Sequence, residues 1–132
     1  MSAELPGRTD PVRSVTAFDI VTCRGVNTLR EMAEMMAGRA VGFLLVTREG
    51  SVAVVSERDI VRALADGEDP DDGWAVDVMS RDALTVSPDT AIEAAAELML
   101  EANVRHLVVD DPDHERYGVV SIRDLVGPLL AG

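Results

Sequence analysis

Apolar residues recur along this chain in two alternating rhythms. Leu29, Met32, Ala33 and Met36 follow the i, i+3, i+4, i+7 spacing of a helix with one buried face, and Gly38 is a fitting stop. Aliphatic and β-branched runs follow. Val41 to Val46 and Val52 to Val55, separated by Glu49-Gly50, predict an antiparallel hairpin, and Ser56 opens a helix running to about Asp66. The same succession then returns. Ile92, Ala95, Ala96 and Met99 form a second helical stripe that ends at Asn103. Val104 to Val109 is a strand, Asp110 to Arg116 a polar turn, Gly118 to Val120 the returning strand, and Ser121 opens the last helix. Thr28-Leu29-Arg30-Glu31 and Thr90-Ala91-Ile92-Glu93 have the spacing of capping boxes before the first helix of each half. With short extended lead-ins at Ile20 to Thr22 and at Leu84-Thr85, each half reads β-α-β-β-α.

The halves are copies. A shift of 63 residues carries Val15, Thr22, Ala33, Glu34, Met36, Val41, Leu44 and Val46 onto Val78, Thr85, Ala96, Glu97, Met99, Val104, Leu107 and Val109. Beyond a turn two residues longer in the second copy, Ser56, Arg58, Asp59, Val61 and Leu64 meet Ser121, Arg123, Asp124, Val126 and Leu129. Two copies are too few for an open solenoid, so a closed pair packed face to face is expected. The expected organisation is a loose polar tail over 1–11, a first repeat over 12–73 and a second over 74–132, joined by the solvated acidic connector Asp66 to Gly73. Trp74 to Met79 matches Pro11 to Thr16 as the approach to a repeat.

Composition narrows the function classes. The hydrophobic fraction is 47% with only 3% aromatic, so the core must be aliphatic. The net charge is −12 and every basic residue is Arg, which argues against a general nucleic-acid binder. No apolar run reaches the length of about 18 residues that a membrane span needs, and no export signal is evident. With a single cysteine, Cys23, a cytoplasmic protein is the natural expectation. One Cys and two His cannot furnish an ordinary zinc site, and no metal is expected. The chain holds no Gly-rich phosphate loop and no nucleophile–base constellation, so an enzyme is not expected.

The chemistry is concentrated in the repeated Ser-x-Arg-Asp, Ser56 to Asp59 and Ser121 to Asp124. A hydroxyl and a carboxylate three residues apart are an ordinary helix start, with Ser as N-cap and Asp at N3. They also suit a polar ligand: a carboxylate accepts two hydrogen bonds from a cis-diol, helix-end amides attract phosphate, and Arg58 or Arg123 could add a charge-assisted contact.

Gly118-Val119-Val120-Ser121-Ile122-Arg123-Asp124, Asn103-Val104-Arg105-His106-Leu107-Val108-Val109-Asp110 and Ala75-Val76-Asp77-Val78-Met79-Ser80 before Leu84-Thr85-Val86 resemble a tandem pair of CBS domains, a Bateman module. The resemblance runs from about Val12 to the end. It implies an α/β fold of two βαββα repeats packed through their sheets with pseudo-twofold symmetry. It also implies a regulatory, signal-transducing module that binds an adenine nucleotide (AMP, ADP, ATP) or adenosyl compound in clefts between the repeats. Such a ligand is regulatory, not a cofactor. By resemblance, Ser56 and Ser121 lie near ribose or phosphate, Asp59 and Asp124 accept from ribose hydroxyls, and Arg58 and Arg123 stand beside them. Val21-Thr22 with Gly42-Phe43, and Leu84-Thr85 with Val104-Arg105-His106, would flank the adenine. A homodimer acting through an unknown effector protein is expected, without nucleic acid or membrane. The alternative is an interaction module whose clefts are degenerate. Ala53 stands where the second copy has Gly118, and a methyl there is expected to narrow the first cleft.

Overall fold

The structure, a computed structural model, describes residues 6–48, 51–81 and 83–131. Its elements follow the predicted order twice. The first series is β1 (Thr22–Cys23), α1 (Leu29–Arg39), β2 (Phe43–Arg48), β3 (Ser51–Ser56) and α2 (Glu57–Ala65). A short helix α3 (Ala75–Val78) leads to the second: β4 (Thr85–Val86), α4 (Ile92–Ala102), β5 (His106–Asp111), β6 (Arg116–Ser121) and α5 (Ile122–Ala131). A 3-10 turn over Val12–Val15 is the counterpart of α3. Each series makes a three-stranded sheet, ordered β1-β2-β3 and β4-β5-β6. The lead-in strand runs parallel to the central one, and the hairpin partner runs antiparallel. The Glu49-Gly50 turn lies outside the described residues.

Two local expectations change. The first helix does not stop at Gly38 but at Ala40, which takes the left-handed conformation at φ 54°. Asn103 holds the equivalent place at φ 55°, as its residue type foretold. The capping box predicted at Thr28 and Glu31 forms, whereas the one at Thr90 and Glu93 does not: the N-cap is Ala91, with no side-chain cap. The repeat register itself places Ala91, not Thr90, opposite Thr28.

The chain divides into two compact units, one comprising Ile20–Ala83 and the other Met1–Asp19 with Leu84–Gly132. The segment that precedes each repeat in sequence therefore folds onto the other repeat. In the second unit, Ile92 N donates to Asp10 O and Glu93 N to Arg8 O, both at 2.9 Å; Val12 N donates to Thr90 O at 2.7 Å. Backbone carbonyls of the approach segment thus do the capping that no side chain does. Residues 8–11, expected in a loose tail, are tied down by these bonds. In the first unit Leu29 N donates to Gly73 O, Arg30 N to Pro70 O and Ala75 N to Asn27 O. Val12 and Ala75 are both fully buried, each in the core of its unit. Farther on, Ala17 bridges Val119 and Ser80 bridges Val54, covering the outer edge of each sheet.

Each unit has its own aliphatic core. Leu29, Met32, Met36, Leu44, Val46 and Val55 centre the first; Ile92, Met99, Leu107, Val109, Val120 and Leu125 centre the second. Met32, Met36 and Met99 are buried there, and Met35 packs against the first core half-buried.

Candidate functional site

At both helix starts the Ser and Asp side chains lock together. Ser56 N and Ser56 Oγ donate to Asp59 Oδ2 at 2.8 and 3.1 Å, and Asp59 N donates to Ser56 Oγ at 3.2 Å. Ser121 and Asp124 repeat the arrangement at 2.8, 2.9 and 3.3 Å. The box thereby spends the hydroxyl proton and one carboxylate oxygen. Oδ1 of each Asp takes part in none of these bonds and keeps its acceptor capacity. Asp59 is half-buried and Asp124 exposed. Capping and ligand recognition are thus compatible at the same two residues.

The central strand of each sheet gathers the rest. Phe43 is the register partner of Ser56, and His106 of Ser121. One residue earlier, Gly42 O accepts from Glu57 N at 3.0 Å and Arg105 O from Ile122 N at 2.8 Å. Two residues beyond Phe43 and His106, across the opposite strand edge, Leu45 N donates to Val21 O and Val108 N to Leu84 O. Gly42, Phe43, Ser56 and Asp59 therefore meet at one helix start, and Arg105, His106, Ser121 and Asp124 at the other. Arg58 and Arg123 are exposed beside them, and Thr22 and Thr85 are exposed on the lead-in strands. Val21, Leu84 and Val104 are placed differently: their side chains pack against the cores.

His106 is exposed on its strand. Partial desolvation pulls its imidazole below the ordinary value, and Arg105 acts in the same direction, against the opposing pull of Asp124. Cys23 is buried, which pushes its thiol up to about 11 and leaves it unreactive at neutral pH.

The two helix starts differ in what surrounds them. A Cβ on Gly42 would stand 2.7 Å from Glu57 Oε1, so the Glu57 carboxylate rests directly on this glycine. The second copy has Arg105 and Ile122 at these places. Asp59 also borders a hollow of about 260 Å³ whose rim holds Arg62, Asp66, Glu68 and Asp77. Among the described residues no group of three or more His, Cys, Asp or Glu is placed to hold a metal ion.

The expectation about Ala53 is overturned. Ala53 lies in the first core with Val55 and with its register partner Val46, so its methyl is taken up in core packing. Gly118 is needed for another reason. A Cβ there would fall 2.4 Å from Thr16 Cγ2 and 2.7 Å from the Phe18 ring. The guanidinium of Arg116 stands over that ring, 3.7 Å from its centroid, and bonds at 2.9 Å to the buried carboxylate of Asp111, which His114 also contacts. The 63-residue shift puts Arg81 at the place of Phe18, and Arg81 turns instead to Val76 O. Sequence reasoning missed this clasp because Phe18 and Gly118 lie a hundred residues apart.

Comparison with known proteins agrees with this architecture. The CBS domain family model matches residues 12–66 and 75–130, and the chain belongs to that family. An uncharacterized protein of Methanopyrus kandleri is 28% identical over 122 residues, covering 90% of this chain; the chain spans 62% of that relative's length. A CBS domain protein from Pyrobaculum aerophilum, solved in complex with AMP, is 33% identical with a TM-score of 0.78, covering 92% of this chain and 99% of its own. A hexameric CBS-CP12 protein from bloom-forming cyanobacteria superposes with a TM-score of 0.81 at 24% identity, over 90% of this chain and 67% of that one.

Proposed function

We propose that this chain is a regulatory module that senses an adenine nucleotide or adenosyl compound and catalyses no reaction of its own. The observation that carries the reading is the duplicated Ser–Asp clamp, which caps its helix with Oδ2 and leaves Oδ1 able to accept from a ribose diol. The AMP complex of the Pyrobaculum aerophilum relative supports it. In this reading Ser121, Arg123, Asp124, Arg105 and His106 form the stronger site, with two arginines to contact phosphate. Glu57 makes the site of Ser56, Arg58 and Asp59 the weaker one, because a carboxylate over Gly42 repels an anionic ligand. That same observation favours, for the first repeat alone, the second reading of an interaction module with a degenerate site.

Output passes through self-association or an effector protein in the cytoplasm. Exposed Val61, Leu64, Leu100, Val126 and Leu130 on α2, α4 and α5 support a homodimer. Calorimetric titration with AMP, ADP, ATP, NAD and adenosylmethionine tests the ligand. One dominant site per chain, lost in Asp124→Asn and kept in Asp59→Asn, is expected. Wild-type affinity in Asp124→Asn for every ligand that binds would refute the diol role.

A further inference from the structure

The two Ser–Asp clamps are alike in their own atoms and opposite in the charge around them. At the first, any side chain on residue 42 would collide with the Glu57 carboxylate, so glycine there gives Glu57 the room to lie beside the clamp. The hollow of about 260 Å³ bordered by Asp59 is walled by Arg62, Asp66, Glu68 and Asp77. Arg58 and Arg62 are thus outnumbered by the carboxylates near them.

The second clamp reverses this. The repeat register puts Arg105 in the place of Gly42 and Ile122 in the place of Glu57. It puts Gly127, Ala131 and Ser14 in the places of Arg62, Asp66 and Asp77. At these equivalent places Arg105 and Arg123 accompany Asp124, and no further acid does.

Each clamp makes the same demand through Oδ1, which accepts from ligand hydroxyls. What differs is the charge that the rest of the ligand must carry. Phosphate beside Arg105 and Arg123 gains charge-assisted contacts. Phosphate among Glu57, Asp66, Glu68 and Asp77 is repelled, whereas a cation is attracted there. We infer that the first clamp binds an adenosine whose remaining part is cationic, bearing a sulfonium or ammonium group, while the second takes the phosphate-bearing nucleotide. One chain then reads two ligands of opposite charge. The dominance of the Asp124 site holds for nucleotides, and the first site is weak for them because it selects the other charge. Discrimination of this kind uses attraction of one ligand and repulsion of its competitor at once. The inference rests on the diol role proposed for Asp59 and Asp124 and adds the charge that each site selects.

The test uses the full chain carrying Asp124→Asn, which silences the second clamp. The probes are adenosylmethionine and adenosylhomocysteine, which differ by one methyl group and one positive charge. Calorimetric titration should show adenosylmethionine bound at least tenfold more tightly than adenosylhomocysteine, with AMP weaker than either. Adding Asp59→Asn should abolish binding of both probes. Glu57→Gln, an isosteric change at an exposed position, should reduce the preference at least threefold and strengthen AMP at this site. Raising salt from about 0.05 M to about 0.5 M should weaken adenosylmethionine and leave adenosylhomocysteine nearly unchanged, a check that needs no further variant. Equal affinity for the two probes would overturn the charge inference and leave the diol role standing. So would failure of adenosylmethionine to bind while the wild type still binds AMP, which would mark the first site as degenerate. A preference unmoved by both Glu57→Gln and salt would show that charge does not set the choice. AMP bound by Asp124→Asn as tightly as by the wild type would refute the diol reading itself, and the charge inference with it.

Discussion

The two units share a fold and a helix-start clamp, yet their approach segments are held by different means. In the Ile20–Ala83 unit the approach is contiguous with its repeat, α1 has a side-chain capping box, and Arg30 pairs with Asp71 at 2.5 Å. In the other unit the approach comes from the far end of the chain. The α4 N-cap is Ala91, and Arg13 pairs with Asp89. There the holding work falls to Val12 in the core and to Phe18 wedged over Gly118 beneath Arg116. Both ion pairs are exposed and contribute little. Two repeats of the same element order thus reach the same fold with stabilisation drawn from different links, and what looks like a binding-site substitution, Ala53 for glycine, belongs to this difference.

The comparison breaks most completely if the approach is removed. Deleting residues 6–18 strips the second unit of Val12, of the carbonyls that cap α4 and of its edge cover. We expect its cooperative unfolding transition to vanish in a urea melt while the Ile20–Ala83 unit keeps its own. Equal loss in both units would show that they fold as one.

A single methyl comes next. Gly118→Ala should destabilise the second unit by about 1–3 kcal/mol, because Thr16 is β-branched and held by its bond to Val12 O at 2.7 Å and cannot easily yield. Ala53→Gly should cost about 1 kcal/mol through backbone entropy and a lost core methyl, and should leave first-site affinity unchanged. Urea denaturation and calorimetry separate the two; a gain in first-site affinity in Ala53→Gly would restore the methyl as a steric bar.

The clamps should behave alike in stability and unlike in binding. Asp59→Ala and Asp124→Ala each remove half of a reciprocal capping box and should cost about 1 kcal/mol. Only Asp124→Ala should abolish the dominant ligand site. Unequal losses of stability would show that one clamp is not formed as described.

Acid should weaken the second unit through Asp111. The bond from Arg116, followed by that from His114, holds the Asp111 carboxyl below the usual carboxylate range. A carboxylate depressed on folding contributes stability above its unfolded value, near pH 4, and loses it as pH falls further. Melting temperature followed from pH 6 to pH 2 should therefore fall less steeply in Asp111→Asn than in the wild type. Identical slopes would exclude the clasp as an acid-labile element.

The smallest effect concerns the absent cap. Thr28→Ala should cost about 1 kcal/mol, and Ala91→Thr with Ala94→Glu, which rebuilds the box in the second repeat, should return a comparable amount. No gain would mean that the carbonyls of Arg8 and Asp10 already satisfy that helix end.

What the sequence determined by itself is whatever depends on local spacing and on duplication. The βαββα order, the Ser–Asp helix starts, the Thr28 box and the Asn103 helix end all follow from residues within a turn of one another. The internal shift then required two like units. The same shift could have corrected the Thr90 box, since it sets Ala91 opposite Thr28. Tertiary structure alone decided which segment covers which repeat, because Val12, Phe18 and Gly118 meet only through long-range packing and no local period records that. It also decided which way Ala53 points, since a strand residue's face depends on where the sheet finds its core. The lesson for the site is that alternation along β3 and β6 turns the glycine and alanine inward, to the opposite face from the serines that open the two helix starts.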